Sequence, residues 1–139
     1  MNKFKLNQSL QKLEKQKSDL PQALAEATQQ YFNKSFDNQA WNGRPWQNRK
    51  PQKTSNTKPI LQKTGALKNA VSHSLVKTDF KSLKFEVQNI PYAKVHNDGL
   101  KAGRGRGFKM PQRQFIGHTE ELANIQKNII KTYINKIWQ

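Results

Sequence analysis

The stretch Leu83-Lys84-Phe85-Glu86-Val87-Gln88 decides the fold class, because apolar and polar side chains alternate along it. A period of two is typical of an antiparallel strand with one buried and one solvated face. A short helical turn over 64–70 and a weaker alternation over 71–75 precede it, and residues 78–82 suit a hairpin connection. The stretch 90–95 is predicted to be extended as well. The sequence therefore predicts a small antiparallel sheet in the middle of the chain.

Helical periods flank this sheet. From Phe4 to Tyr31, apolar residues recur every three or four positions, which predicts an amphipathic helical region. Pro21 interrupts this region. Because proline is tolerated in a first helical turn and a preceding Ser or Asp can cap that turn, we predict an N-terminal pair of helices over about 3–16 and 19–36.

A long C-terminal helix is predicted to follow the sheet. Thr119 can cap it, and Glu120 and Glu121 fall in the first turn, where the helix dipole favours acidic residues. Helices, contiguous strands and a last helix in this order predict an α+β domain. The apolar stripe of the last helix is expected to pack in the core or against another copy of the chain, through Leu122, Ile125, Ile129, Tyr133 and Ile137.

Two polar stretches connect these elements. Residues 37–59 show neither period and are predicted to form a long loop. Trp41 and Trp46 within it are expected to hold the loop on the core, and the alternative is a stacking platform for nucleic-acid bases.

Residues 97–114 interleave glycines with cations and predict a mobile basic loop. This loop either contacts DNA or an acidic partner, or is a solvated segment that orders only against a neighbouring subunit. The candidate contact residues are Lys101, Arg104, Arg106, Lys109 and Arg113.

Length and charge limit the class of protein. With 139 residues, of which 34% are hydrophobic, the chain fits one domain over 1–139 with a modest core. The net charge of +16 attracts nucleic acid, an acidic protein surface or an anionic membrane. No run approaches the roughly 18 apolar residues of a membrane span, and no signal peptide is recognisable. We expect a soluble protein that stays in the cytoplasm unless a larger particle carries it out.

The sequence offers little for catalysis, and we expect neither an enzyme nor a bound cofactor or metal. It holds no cysteine, and its three histidines lie 23 and 22 residues apart, which fits no metal-ligand spacing. The stretch His96-Asn97-Asp98-Gly99 is typical of a turn, and a hydrolytic site using His96 and Asp98 is the competing hypothesis. The glycine-arginine stretch 103–107 lacks the spacing of a nucleotide-binding loop.

Four segments, in order along most of the chain, together resemble the phage virion morphogenesis, or tail-completion, family. Gly43-Arg44-Pro45-Trp46 is similar to its Gly-x-x-Trp element, and Ile60-Leu61-Gln62-Lys63-Thr64-Gly65-Ala66-Leu67 to its I-L-x-x-T/S-G-x-L motif. Ile90-Pro91-Tyr92-Ala93-Lys94-Val95-His96-Asn97-Asp98-Gly99 is similar to V-P-Y-A-x-I-H-x-x-G. Met110-Pro111-Gln112-Arg113-Gln114-Phe115-Ile116-Gly117 is similar to M-P-x-R-P/x-F-L-G, with Gln114 where the family often has proline.

The resemblance implies a structural protein of a tailed phage that completes the tail at its head-proximal end. It would mediate head-tail joining as part of a homo-oligomeric neck ring, be assembled in the host bacterial cytoplasm and remain in the virion. The implied partners are a tail terminator or tube, a head connector and DNA passing through the channel, with no membrane. Tyr92, His96, Pro111 and Phe115 would fix the basic loop. The alternative is a free nucleic-acid-binding protein or a non-virion assembly factor that uses the basic loop.

Overall fold

A computed structural model describes residues 3–50, 58–78 and 82–139. Residues 51–57 of the predicted long loop and residues 79–81 of the predicted hairpin connection lie outside this description. The α+β class is confirmed: a long first helix and a long last helix precede and follow short antiparallel strand pairs along the chain. Within the described ranges, no helix is both long and apolar enough to span a bilayer.

The first helix, α1, is continuous over Lys3–Asn38, so the predicted pair of helices is wrong. Pro21 lies inside α1, where proline removes one backbone hydrogen bond and crowds the carbonyl four residues earlier, at a cost of about 3 kcal/mol. The ring of Pro21 is buried and, with Leu20 and Leu24, faces Ile134 across an apolar groove. Burial of this face on both sides of the proline offsets the cost. The residues near Pro21 in the sequence do not indicate this burial, because it depends on the last helix.

Three antiparallel hairpins replace the single predicted sheet. β1 (Ala40–Trp41) pairs with β2 (Arg44–Pro45), β3 (Leu75–Thr78) with β4 (Leu83–Glu86), and β5 (Lys101–Ala102) with β6 (Phe108–Lys109). In the central pair, Val76 lies opposite Phe85 and Thr78 opposite Leu83. The alternating stretch is therefore a strand of a two-stranded sheet, with Leu83 and Phe85 half-buried and Lys84 and Glu86 exposed.

Two short helices complete the fold. The predicted turn over 64–70 is the helix α2 (Ala66–Ser72), which extends into the stretch where alternation was expected. The extended piece predicted over 90–95 is wrong, because a turn closed by the Ala93 amide on the Ile90 carbonyl, 3.1 Å away, leads into the helix α3 (Ala93–Asp98). The expected turn at His96-Asn97-Asp98-Gly99 is the end of α3, with Gly99 in the left-handed region.

The last helix, α4 (Glu120–Trp138), begins as the sequence indicates. Its cap Thr119 accepts a hydrogen bond from the Leu122 amide at 3.0 Å, and Glu120 and Glu121 occupy the first turn. α4 runs antiparallel to α1, since the hydroxyls of Tyr31 and Thr119 lie 2.7 Å apart at one end. At the other end, Lys12 contacts the carbonyl of Gln139. The first nine residues of α1 thus extend beyond α4, a length of about 14 Å.

The core lies where the C-terminal end of α1 meets the other elements. Phe36 is fully buried, and its ring lies 5.5 Å from that of Trp46 and 5.4 Å from that of Phe115. Trp46 also donates its indole N–H to the Gln114 carbonyl at 2.9 Å. The buried apolar cluster consists of Phe32, Phe36, Trp46, Leu67, Val71, Ala93, Phe115 and Leu122.

Candidate functional site

An open groove of about 1200 Å³ lies beside this core. Its lining comes from residues 47–50, 60–67, 92–99 and 108–113. The last three ranges belong to motifs quoted above or adjoin them, and the first directly follows Gly43-Arg44-Pro45-Trp46. Segments that are far apart in the chain therefore build one surface.

The groove is strongly basic. Among the described lining residues, Asp98 has the single carboxylate, and it accepts hydrogen bonds from Lys94 Nζ and Asn97 Nδ2, each 3.0 Å away. The Lys94 bond, with help from Asn97, lowers the pKa of Asp98, so the carboxylate is ionised and already paired near neutral pH. We call this surface the basic groove; its cations are Arg49, Lys50, Lys63, Lys109 and Arg113.

Backbone carbonyls hold the two arginines of the basic groove. Arg49 donates to the carbonyls of Lys58 and Pro59 at 2.7 and 2.8 Å, and Arg113 Nε donates to the Gln47 carbonyl at 3.0 Å. A carbonyl fixes a guanidinium without neutralising its charge. Burial lowers the pKa of Arg113, and repulsion from the nearby charge of Arg49 lowers it further.

Arg113 is 6% exposed, which corrects the expectation that it presents its charge like the other four predicted contact residues. The sequence places it in a basic run, but folding turns its side chain into the wall of the groove, against Gln47. Lys101, Arg104, Arg106 and Lys109 remain exposed. Of these, Lys109 lines the basic groove, whereas Arg104 and Arg106 lie on the tip of the β5–β6 hairpin.

Like charges also meet on that hairpin. Lys101 is directly opposite Lys109 in the strand register, a placement that is unfavourable for two cations. In the described part of the chain, the recorded ion pairs join Lys17 to Glu14, Lys68 to Asp37 and Lys94 to Asp98, and none includes a hairpin cation. The positive charge of the hairpin is thus available to an external anion.

His96 lies in the wall of the groove, half-buried, with its ring 5.9 Å from that of Tyr92 in an edge-on arrangement. Its Nδ1 is buried and has no hydrogen-bond partner among the described residues. Burial first, and then the charge of Arg113, lowers the pKa of His96 below its ordinary value of 6.5. The neutral form of the ring is therefore favoured in the wall of the groove, mainly because the ring is buried and secondarily because Arg113 is near.

This shift predicts a pH dependence of stability. Between the native pKa and 6.5, the unfolded chain binds a proton at His96 that the native chain does not, so the native state loses stability as the pH falls through this window. An NMR titration of the His96 ring protons is expected to give a midpoint below 6.5, and His96→Gln is expected to flatten the unfolding free energy over the same window. A midpoint at or above 6.5 would contradict this account of the groove.

Asn97 is the residue that sequence reasoning missed. Its Oδ1 accepts hydrogen bonds from the amides of Phe115 and Ile116, both at 3.0 Å, and so ties α3 to residues 110–117. The Arg113 amide adds a bond to the His96 carbonyl at 2.8 Å. Because the partners lie 18 and 19 positions away, nothing in the local turn pattern of Asn97 could have indicated this role.

Gly99 permits the same close approach. It ends α3 with φ of 66°, and a Cβ at this position would lie 2.9 Å from the Cβ of Gln112. Both the left-handed backbone and the lack of space favour glycine here.

The residues expected to anchor the loops fall into two groups. Trp46 and Phe115 are in the core, and Trp41 is half-buried against Tyr31, with ring centres 5.8 Å apart. Tyr92, His96 and Pro111 instead line the basic groove. On α4, Leu122 is buried in the core, and the half-buried part of the predicted stripe comprises Ile125, Ile129, Tyr133 and Ile137.

A second surface lies at the N-terminal end of α1. Leu6 and Leu10 near the start of α1 are 46% and 50% exposed, and Ile134 and Trp138 near the end of α4 are 45% and 75% exposed. An adjoining groove of about 310 Å³ between α1 and α4 is lined mainly by apolar side chains. We call these four side chains and the adjoining groove the apolar end.

Within the described ranges, no cluster of three or more potential metal ligands occurs. A family model described as the phage virion morphogenesis family matches residues 4–135, nearly the whole chain. No curated protein and no solved structure gave a significant match.

Proposed function

Because the chain belongs to the phage virion morphogenesis family, we propose that it is a structural protein of the head-tail junction. Membership itself establishes a role in building the phage particle alongside other virion proteins. The proposal adds that the protein completes the tail at its head-proximal end and joins the head as part of a homo-oligomeric neck ring. It also assigns the protein no enzymatic activity; the engagement of the Asp98 carboxylate by Lys94 and Asn97 argues against the competing hydrolytic site at His96 and Asp98.

The observation that carries this proposal is the presence of two unlike surfaces on one small chain. The apolar end lies at the start of α1 and the basic groove beside its C-terminal end, so Leu6 and Phe36 are separated by about 45 Å along the helix. An enzyme needs one concave site, whereas a connector needs separate faces for separate neighbours. The apolar end suits contact with sister copies, and the basic groove and hairpin suit an acidic ring neighbour or passing DNA.

The net charge supports this division of roles. At +16, copies of the chain repel one another, so burial of the apolar end has to be assisted by anions near the basic surface. An acidic neighbouring ring or the DNA in its channel would supply them. Self-association of the purified protein should accordingly increase with salt, which screens exposed charges.

Deletion of the gene from its phage is expected to yield separate heads and tails, and complementation with the wild-type gene to restore joined particles. Leu10→Glu should fail to complement, because it places a charge on the apolar end. Gln11→Glu is the matched control, since it adds a charge at the neighbouring exposed position without removing an apolar side chain. Electron microscopy of the lysates and a plaque assay measure both outcomes.

Joined, infectious particles from the deletion strain would overturn the proposal. If the protein is required but is absent from complete particles by cryo-electron microscopy, it acts as an assembly factor outside the virion. The exposed Arg104 and Arg106 on the hairpin tip keep free DNA binding as the second candidate. That candidate predicts affinity for duplex DNA that falls steeply with salt, with a smaller slope in the Arg104→Gln, Arg106→Gln variant.

A further inference from the structure

The basic groove holds positive charge that the described chain does not neutralise. Arg49 and Arg113 are bound by carbonyls, and the only described carboxylate in the lining is bound to Lys94. Lys63 and Lys109 are exposed at the groove. These cations favour a ligand that brings several negative charges.

The rest of the lining distinguishes among anionic ligands. Ile60, Leu61, Met110 and Pro111 are half-buried aliphatic side chains exposed to the groove. Such side chains gain free energy by covering apolar groups, whereas phosphates gain nothing from them. Tyr92 and Phe108 also line the groove and offer rings for base stacking, so DNA is the competing ligand that the test below includes. A groove of about 1200 Å³ also exceeds the roughly 300–1,000 Å³ of small-molecule sites. An extended chain with both acidic and apolar groups fits this lining best.

Leu61 gives independent support. Its φ of 60° lies in the left-handed region, which is unfavourable for a residue with a bulky side chain. Gly65, four positions later, has the same backbone region without this penalty. Leucine is present here although glycine or asparagine would fit the backbone better, and its side chain both packs against the buried cluster and lines the groove.

We propose that the basic groove binds an acidic peptide segment of a partner protein, with its carboxylates against Lys63, Lys109 and Arg49 and an apolar side chain against Leu61 and Met110. The inference rests on the proposed function in placing that segment on a neighbouring virion protein. The walls are set in advance by the hydrogen bonds that oxygens of Asn97 and His96 accept from the amides of residues 113–116, so little ordering accompanies binding.

Fluorescence anisotropy with the purified full chain tests this assignment. The probe is a labelled peptide of Glu and Leu about 12 residues long, and the comparison peptide has Ser in place of Leu. We expect the Leu peptide to bind at least about tenfold more tightly at equal charge, because one buried leucine suffices for that difference. Single-stranded and duplex DNA of similar length serve as competitors.

Two sets of variants localise the binding. Lys63→Glu with Lys109→Glu is expected to weaken Leu-peptide binding at least about tenfold, whereas Lys127→Glu with Lys131→Glu, the same charge change on exposed positions of α4, changes it less than about twofold. Leu61→Asn should weaken binding of the Leu peptide severalfold and leave the Ser peptide unaffected. Asparagine tolerates the left-handed backbone, but Leu61 also packs against the buried cluster, so a urea denaturation curve of Leu61→Asn is the control that shows the variant is folded.

Equal binding of both peptides, or equal losses from both lysine pairs, would overturn the assignment and indicate general attraction to a basic surface. DNA that displaces the peptide and loses affinity on Lys63→Glu with Lys109→Glu would make the groove a nucleic-acid site instead. If the Leu peptide binds but particles assemble without the protein, only the proposed function is refuted. If neither peptide binds but particle assembly requires the protein, only the inference about the basic groove is refuted.

Discussion

Phe36→Ala is expected to lower the free energy of unfolding by about 3–5 kcal/mol, the range measured when a buried phenylalanine is truncated in a core. Phe36 is 0% exposed and packs against both Trp46 and Phe115. Truncation therefore opens a cavity between three segments that cannot all collapse into it. A domain of this size has about 5–15 kcal/mol of stability, so this one change removes a large part of it.

Urea denaturation followed by tryptophan fluorescence measures this loss, because Trp46 is part of the cluster. Phe108→Ala is the matched control: Phe108 is 59% exposed on β6, and we expect a change below about 1 kcal/mol. An unfolding midpoint near that of the wild type for Phe36→Ala would show that the three rings do not form the core.

Asn97→Ala is expected to cost about 2–6 kcal/mol, because it leaves the amides of Phe115 and Ile116 without their acceptor and each unpaired amide costs about 1–3 kcal/mol. The substitution is expected to change hydrogen exchange at the two amides as well as the free energy of unfolding of the whole domain. We expect hydrogen exchange at these two amides to accelerate more than exchange in α4. The loss should also separate α3 from residues 110–117 and so deform the basic groove.

Asn97→Asp keeps an acceptor oxygen in place and is expected to recover part of the stability, although its charge faces Asp98. Asn128→Ala, at an exposed position of α4, should stay within about 0.5 kcal/mol of the wild type. If Asn97→Ala behaved like Asn128→Ala in denaturation and hydrogen exchange, the two bonds would not hold the groove together.

Local signals predicted the parts of the fold that depend on local interactions. Thr119 and the two glutamates after it specify the start of α4, and the alternation from Leu83 specifies β4, because caps and strand periods involve near neighbours. The helix break predicted at Pro21 is wrong, because contacts with a helix more than 100 positions away outweigh the local penalty of the proline. The extended piece predicted over 90–95 is wrong for a similar reason. A proline-containing apolar stretch does not reveal that Gly99 and Asn97 stabilise the short helix α3 against residues 112–116.

The candidate site was predictable in its charge but not in its shape. The glycine-arginine run predicted exposed cations, and Lys101, Arg104, Arg106 and Lys109 are exposed. The run could not reveal that Arg113 is buried or that Arg49 and Lys63 complete the lining, since these positions come together only when separate segments fold. Composition thus predicts the sign of the potential, and tertiary structure determines where it acts.

The antiparallel pairing of α1 with α4 has a consequence for protein synthesis. The helix α4, which covers α1 from about Lys12 to Tyr31, is translated about 100 residues after α1 is complete, which at about 5–20 residues per second takes roughly 5–20 s. During this interval residues 12–31 of the nascent α1 lack the cover that α4 provides in the folded chain. Prompt folding of each copy therefore depends on how quickly the ribosome delivers α4.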